Sequence, residues 1–343
     1  MDAYLTLSAY DQREACRATE ARTRLRAASI EKDFWVCWTL RELFNLPTWG
    51  AHLTFKGGTS LSKAWQIIDR FSEDIDVVID RDHLGFGGEH SPERATSRKQ
   101  QRLALDALRK AAQQQIKESL QPALQARIKD KLPSDAIWRF ESDASDPDGQ
   151  TLLFHYPSVF GPNDYIPSQV KIELGARSDT DPAETPAIEP YITQSFPDLL
   201  GPSRFPVRSV APRRTFWEKA MLLHEETYRP TEKKRAARLS RHYYDVWCLI
   251  TRGIADQALA DTGLFQRIAT HRAVFFRYMW MDYATLNPGS LRLLPAENHR
   301  AVWAQDYAAM RDTMFFGDTP TFDEILRVVG EFEQRFNQGA VSS

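Results

Sequence analysis

Hydrophobic positions along this chain switch between a period of two and a period near 3.6, and the switches mark out its elements. In Glu73-Asp-Ile-Asp-Val-Val-Ile79, Ile75, Val77 and Ile79 fall on one side and Asp74 and Asp76 on the other, the pattern of a half-buried strand. Gln169-Val-Lys-Ile-Glu-Leu174 alternates likewise, with Val170, Ile172 and Leu174 apolar and Lys171 and Glu173 polar. His52 to Lys56 reads as a short strand, Gly57 and Gly58 as a tight turn, and Thr59 to Asp69 as a helix. Upstream, Asp11 to Ala27 and Ser29 to Leu46 predict two helices. The second carries Ile30, Phe34, Cys37, Trp38 and Leu40 on an apolar face and is stopped by Pro47.

Ser91 to Leu132 is helical in pattern but polar, rich in Gln, Arg and Lys, and its length suggests an insertion. Ala136 to Glu141 and Thr151 to Tyr156 predict a hairpin around Asp146-Pro-Asp-Gly149. The Pro-rich stretch from Pro182 to Pro212 holds two further short strands, Glu189 to Phe196 and Val207 to Val210. From Arg213 onward the period is helical, over Thr215 to Tyr228, Thr231 to Thr251, Phe265 to Met281, Ala296 to Phe315 and Thr321 to Asn337. Pro212 sits where the first of these would begin, and Thr321-Phe-Asp-Glu324 is a capping-box signal for the last. The expected class is α/β. A small mixed sheet with helices occupies residues 1–212, and a helical half follows over 213–343.

Composition narrows the function classes. Lys and Arg total 44 against 46 Asp and Glu, so a globally basic nucleic-acid binder is excluded, although a local basic face is not. No apolar run reaches the roughly 18 residues a membrane helix needs, and no secretory h-region follows Met1. Cys16, Cys37 and Cys248 are widely spaced and form no C-x-x-C, which suggests neither a zinc site nor a disulfide framework and favours a reducing cytoplasm.

Candidate chemistry concentrates between Thr54 and Asp80. A glycine turn opening a helix offers free backbone N–H groups to a phosphate, and Lys63 lies one turn further in. Two carboxylates two residues apart on the next strand, Asp74 and Asp76, suit Mg²⁺ held through carboxylates plus substrate phosphates. Glu173 is the best candidate for a third acid, and its neighbour Lys171 could meet a triphosphate. Taken singly, a glycine pair is an ordinary turn and two such acids are a solvated strand face; together they point to nucleotide chemistry. A P-loop is disfavoured, because the second glycine and the lysine–serine step of G-x-x-x-x-G-K-[ST] are missing.

These residues resemble the AbiEii-type nucleotidyltransferase toxins, a branch of the DNA polymerase β-like nucleotidyltransferase superfamily. Phe55-Lys-Gly-Gly-Thr-Ser-Leu-Ser-Lys63 with Arg70-Phe-Ser-Glu-Asp-Ile-Asp76 is similar to the family's first motif, Lys171-Ile-Glu173 to its second, Thr215-Phe-Trp-Glu-Lys219 to its third and Arg241-His-Tyr-Tyr-Asp245 to its fourth. Ile30-Glu-Lys-Asp-Phe34 resembles its N-terminal helix. The resemblance implies catalytic roles for Asp74, Asp76, Glu173, Lys219 and Asp245, with the three acids of the sheet half, Asp74, Asp76 and Glu173, holding Mg²⁺ or Mn²⁺. It implies nucleotide contacts from Lys56, Gly57, Gly58, Thr59, Ser60, Lys63, Arg70, Ser72, Lys171 and Arg241, so that the helical half contributes to the nucleotide site. Lys219 would neutralise charge on the phosphoryl chain, and Asp245 would be a base or a tether for Lys219.

The implied reaction transfers a nucleotide from an NTP, with loss of pyrophosphate, to an RNA acceptor, a tRNA 3′ end being favoured. The implied biology is a cytoplasmic toxin neutralised by a cognate antitoxin, in abortive infection and phage defence. A transferase acting on a protein hydroxyl or small molecule, and a catalytically silent nucleotide-binding protein, are the alternatives. Lys233, Lys234, Arg235, Arg238, Arg241 and His242 form a basic stretch suited either to polynucleotide phosphates or to a solvated helix face. The aromatic set Phe265, Phe275, Phe276, Tyr278, Trp280 and Tyr283 reads as core rather than as a stacking surface.

Overall fold

The structure is a computed structural model that describes residues 1–23, 25–161, 167–315 and 319–339. The chain divides into two compact units, residues 1–64 with 72–210, and residues 65–71 with 211–343. The class is mixed α/β.

In the first unit the short α1 (Asp2–Leu5) and α2 (Ala9–Glu20) lead into α3 (Ala27–Phe44). The sheet then begins with β1 (Leu53–Lys56), the one-turn α4 (Gly57–Thr59) and β2 (Ile75–Ile79). The predicted polar insertion is α5 (Arg98–Gln115) and α6 (Gln121–Lys131), joined by a π turn over Ile116–Leu120. The predicted hairpin is β3 (Arg139–Ser142) and β4 (Thr151–His155), and β5 (Gln169–Gly175) follows. Two-residue strands complete the unit: β6 (Ala183–Glu184), β7 (Ala187–Ile188), β8 (Phe205–Pro206) and β9 (Ser209–Val210). Among the described residues seven strands form one mixed sheet in the order β3-β4-β5-β2-β1-β9-β6, with β2 parallel to β5 and β1 parallel to β9; β7 and β8 pair separately.

The sheet's apolar rows are the alternating residues of the sequence. Ile75, Val77 and Ile79 on β2, and Val170, Ile172 and Leu174 on β5, are all buried. Helix α3 covers β4 with aromatic rings: Trp35 stacks on Tyr156 at 5.3 Å between centroids, and Trp38 lies 5.8 Å from Phe154. It is buried nearly all round, so its polar residues are inside as well.

The second unit contains α7 (Pro212–Thr227), α8 (Arg241–Thr251), α9 (Ile254–Ala260), α10 (Leu264–Phe275), α11 (Glu297–Met314) and α12 (Phe322–Gly339). Pro212 stands in the first turn of α7, and Thr321 Oγ1 accepts from the Glu324 backbone N–H at 3.2 Å, as the capping signal required. Phe216, Trp217, Phe265, Phe332 and Phe336 pack ring against ring between α7, α10 and α12. No helix among the described residues is long and apolar enough to cross a membrane.

The helix expected over Asp11–Ala27 ends at Glu20, the helical stretch expected from Ser91 begins at Arg98, and the strand expected over Val207–Val210 is confined to Ser209–Val210. Four further elements depart from the expectations above. The helix expected over Thr59–Asp69 ends at Ala64, where a π turn (Ser60–Ala64) closes it and Gln66 takes a positive φ of 53°; residues 65–71 belong to the second unit. The strand expected over Glu189–Phe196 is a 3₁₀ turn, Tyr191–Gln194, because the Asp33 carboxylate takes the Tyr191 N–H at 2.7 Å. The helix expected from Thr231 starts only at Arg241. Asp306 captures the backbone N–H groups of Arg238 and Ser240 at 2.7 and 2.9 Å, and Arg238 sits at a φ of 62°. The helix expected to reach Met281 stops at Phe275, where the Tyr283 hydroxyl donates to the Phe276 carbonyl and accepts from the Tyr278 N–H. In the last three cases a distant side chain outcompetes the local helix or strand for backbone groups.

Candidate functional site

Strand register assembles the acids of the first unit. Lys56 on β1 pairs with Asp76 on β2, Asp76 pairs with Glu173 on β5, and Glu173 pairs with Thr151 on β4. Directly paired residues point to the same face, so these four form one row across four strands. Asp74 stands two residues before Asp76 on that face.

At the end of β1, Gly57 adopts a φ of 81°, and a Cβ built there would fall on the Asp76 carboxylate. Glycine is therefore required twice, once for the backbone and once for the close approach. Thr59 Oγ1 donates to the Asp74 carbonyl at 2.6 Å and is hydrogen-bonded to Ser72 Oγ at 2.8 Å, which ties the glycine-turn helix to the start of the acid strand.

Like charges dominate the row. Burial first, and then repulsion from Glu173, push the Asp76 carboxyl up to about 7, with Lys56 partly opposing; the Asp76 and Glu173 carboxyls are within hydrogen-bonding reach and can share a proton. Burial and the neighbours Glu73 and Glu173 raise Asp74 as well. Among the described residues no three His, Cys, Asp or Glu side chains converge as a ready-made metal cage. The arrangement instead suits a Mg²⁺-type ion bound through one or two carboxylates and completed by substrate phosphate oxygens. A cation there would relieve the repulsion that lifts Asp76. Beside Glu173 opens a cleft of about 310 Å³, lined by Lys171, Thr151, Gln150, Asp143 and Asp146 among others.

The lysines divide into buried and accessible. Lys63 is buried; its ammonium lies 2.7 Å from Asp33 and 3.5 Å from the centre of the Tyr191 ring. Burial opposes its charge, yet Asp33 outweighs that and holds the ammonium above its usual range. Lys56 donates to Ser178 Oγ at 2.7 Å, and Lys171 pairs with Glu173 at 2.5 Å.

The resemblance places Glu31, Lys32 and Asp33 on an N-terminal helix but gives them no role in the site. Each is buried, and each pins a different segment of the first unit. Glu31 accepts from Ser158 Oγ and the Val159 N–H, Lys32 pairs with Glu73 at 2.7 Å and donates to the Pro167 carbonyl, and Asp33 holds Lys63 and Tyr191. Three consecutive charges inside an otherwise apolar helix were the available signal, since buried charges need partners.

In the second unit, Arg70, Lys219, Asp245 and His242 come together. The Arg70 guanidinium grips both Asp245 oxygens at 2.7 and 2.8 Å, Lys219 Nζ lies 2.8 Å from Asp245 Oδ2, and His242 Nδ1 is 3.3 Å from the same ammonium. Arg70, Lys219 and Asp245 are buried. Burial alone would raise Asp245, but Arg70 and Lys219 hold it far below the usual carboxylate range. Such a carboxylate is a weak proton acceptor. Lys219 is drawn down, by burial first and by Arg70 and Arg241 against the pull of Asp245. Arg241 opens α8 half-buried. Lys233, Lys234 and Arg238 are exposed on a non-helical segment, whereas Arg235 is engaged by Glu226 at 3.3 Å. Phe265 and Phe275 are core, as expected; Tyr278 is 36% exposed and stacks on Trp280.

A mixed sheet with an acid row beside a glycine turn is the architecture of an enzyme that handles nucleotides. Residues 38–328 match the family model for nucleotidyl transferase AbiEii toxins of type IV toxin–antitoxin systems, and the chain belongs to that family. It is accordingly a nucleotidyltransferase. Among solved structures, MenT4, a nucleotidyltransferase toxin from Mycobacterium tuberculosis H37Rv, aligns over 96% of this chain and 93% of its own at 16% identity and a TM-score of 0.46. No curated protein matches the sequence.

Two outcomes test this geometry. Gly57→Ala should lower stability by about 1–2 kcal/mol from the positive φ alone, with further loss as Asp76 is displaced; an unchanged urea midpoint would refute the close approach. Asp245→Asn should destabilise by about 3–5 kcal/mol at pH 7, because two buried cations lose their counter-charge. The folded-state pKa of Asp245 is depressed below its ordinary 3.8, so this stabilisation is present above that value and fades as pH falls through it. Urea unfolding of both proteins from pH 7 to pH 3 should show the difference shrinking below about pH 4.

Proposed function

We propose that this toxin is a metal-dependent nucleotidyltransferase that moves a nucleotide from an NTP to an RNA acceptor, a tRNA 3′ end being the acceptor we favour, and that a cognate antitoxin restrains it. The observation that carries the reading is the pairing of Asp76 with Glu173 in register on adjacent parallel strands, beside the glycine turn. The acceptor hydroxyl attacks the α-phosphorus and gives up its proton to solvent, a new phosphorus–oxygen bond forms, and the bond to the bridging oxygen breaks to release pyrophosphate. Asp74, Asp76 and Glu173 would hold the divalent ion, which when bound supplies Lewis-acid stabilisation of charge on the phosphoryl oxygens.

The remaining work falls to the chain's own groups. The free N–H groups at the start of the glycine-turn helix cradle phosphate. Lys56 and Lys171 supply positive charge beside the acids. Lys63, Thr59 and Ser72 support the cradle from behind, since their side chains are engaged within the first unit. In the second unit Asp245 acts as the tether for Lys219 rather than as a base, and Arg70 fixes Asp245.

Asp74→Ala and Asp76→Ala should each abolish transfer while leaving the unfolding midpoint within about 1 kcal/mol of wild type, because each removes a repelled carboxylate from a polar face. Incubation with each α-labelled NTP, Mg²⁺ and total cell RNA reads the reaction directly. Label in RNA supports the acceptor; label in protein or in a small molecule redirects it, and wild-type turnover by both variants defeats the acid assignment.

Lys233 and Lys234 are exposed, and Lys233 Nζ lies 4.1 Å from the centre of the Trp280 ring, a combination that suits single-stranded nucleic acid. Replacing both with alanine should raise the apparent KM for RNA and leave that for NTP nearly unchanged. The salt slope of RNA binding should fall by roughly 0.7 per lost phosphate contact, and an unchanged slope would clear this surface of the role.

A further inference from the structure

Each carboxylate around the acid row has a lysine near it, and the three lysines differ in how free they are to leave. Lys32 pairs with Glu73 at 2.7 Å, but its side chain is 4% exposed and it also donates to the Pro167 carbonyl. Lys56 acts on Asp76 through its charge while its ammonium is held by Ser178. Lys171 and Glu173 form the one pair of the three with both partners well exposed, at 36% and 43%, and both line the cleft beside the acids.

We propose that Lys171 is an exchangeable counter-ion. In the resting protein it occupies Glu173; when nucleotide enters, its ammonium passes to the triphosphate and leaves Glu173 free for the divalent cation. The inference rests on the metal-dependent reading above and goes beyond it, because it makes cation and nucleotide binding cooperative through one side chain.

The physics is that of competing charges. An ammonium in contact with Glu173 repels a dication from the same oxygens, so the cation alone meets an occupied site. The triphosphate offers the lysine a stronger partner, and a flexible four-carbon stem lets it change partners without moving the strand. Removing the lysine charge from Glu173 helps the cation, and a bound cation makes Glu173 a poorer partner for the lysine. Each ligand therefore favours the other by the same factor. Lys32 is unsuited to such an exchange, because leaving Glu73 would strand a buried cation. Its role is to keep Glu73 permanently neutralised beside Asp74.

The test is a Mn²⁺ titration followed by electron paramagnetic resonance, with and without non-hydrolysable α,β-methylene analogues of the four NTPs. Lys171→Gln should bind Mn²⁺ alone about tenfold more tightly than wild type, given a unit charge removed at contact distance, and the analogues should improve its Mn²⁺ affinity far less than they improve that of wild type. Lys171→Arg, which keeps the charge, should behave as wild type. Adding Glu173→Gln to Lys171→Gln should cancel the gain. Equal Mn²⁺ affinity of wild type and Lys171→Gln, with equal enhancement by the analogues, would overturn the exchange while leaving the metal reading intact. Absence of Mn²⁺ binding from every protein, with or without analogue, would overturn both together.

Discussion

The carboxylate of Asp76 occupies the space where any residue but glycine at position 57 would place its Cβ, and the acid row depends on that contact. It lets a half-buried acid sit near the start of the neighbouring strand without being pushed out of the row that register has defined. The cost is repulsion, because Asp76 meets Glu173 across a parallel ladder with Asp74 close by. A surrounding set of lysines, Lys32, Lys56 and Lys171, offsets part of this repulsion. The strain in the row is electrostatic rather than steric, and it is the kind that a cation relieves.

Helix α3 braces the row. Its tryptophans pack against β4, and Glu31, Lys32 and Asp33 then reach three further segments of the unit. The second unit uses the same device. Asp245 draws Arg70 and Lys219 into a buried trio, which is costly to desolvate and costly to break. Such a trio fixes side chains in one arrangement more than it adds net stability.

Much of this was legible in the sequence, for reasons that can be named. Strands β2 and β5 announce themselves by strict alternation, and the polar side of each carries the acids. Register was not legible, since nothing local to Ile75–Ile79 says that Asp76 will meet Glu173 rather than Lys171. The glycine turn was visible, but the fate of the polar residues around it was not. Lys63, Arg70, Thr59 and Ser72 are expected to contact nucleotide, and nothing in the string of letters says that each also has a partner inside its own unit. The helices expected from Thr231 and up to Met281 failed because Asp306 and Tyr283 take backbone groups that a helix would have used. A single sequence records those competitors only as distant polar residues.

The parallel pairing of β2 with β5 also sets an order of assembly. Asp76 and Glu173 lie 97 positions apart (173 minus 76), and between them come α5 and α6, whose contacts are local and form early. Closing so long a loop costs entropy that the local helices and the β3–β4 hairpin do not have to meet. During synthesis the first acids leave the ribosome well before their counterpart, and the nascent chain carries no complete acid row. Charge repulsion is then met only at a late step, when the apolar rows of the sheet are already available to hold the two strands together. The acid row is therefore a product of long-range pairing and exists in no shorter piece of the chain.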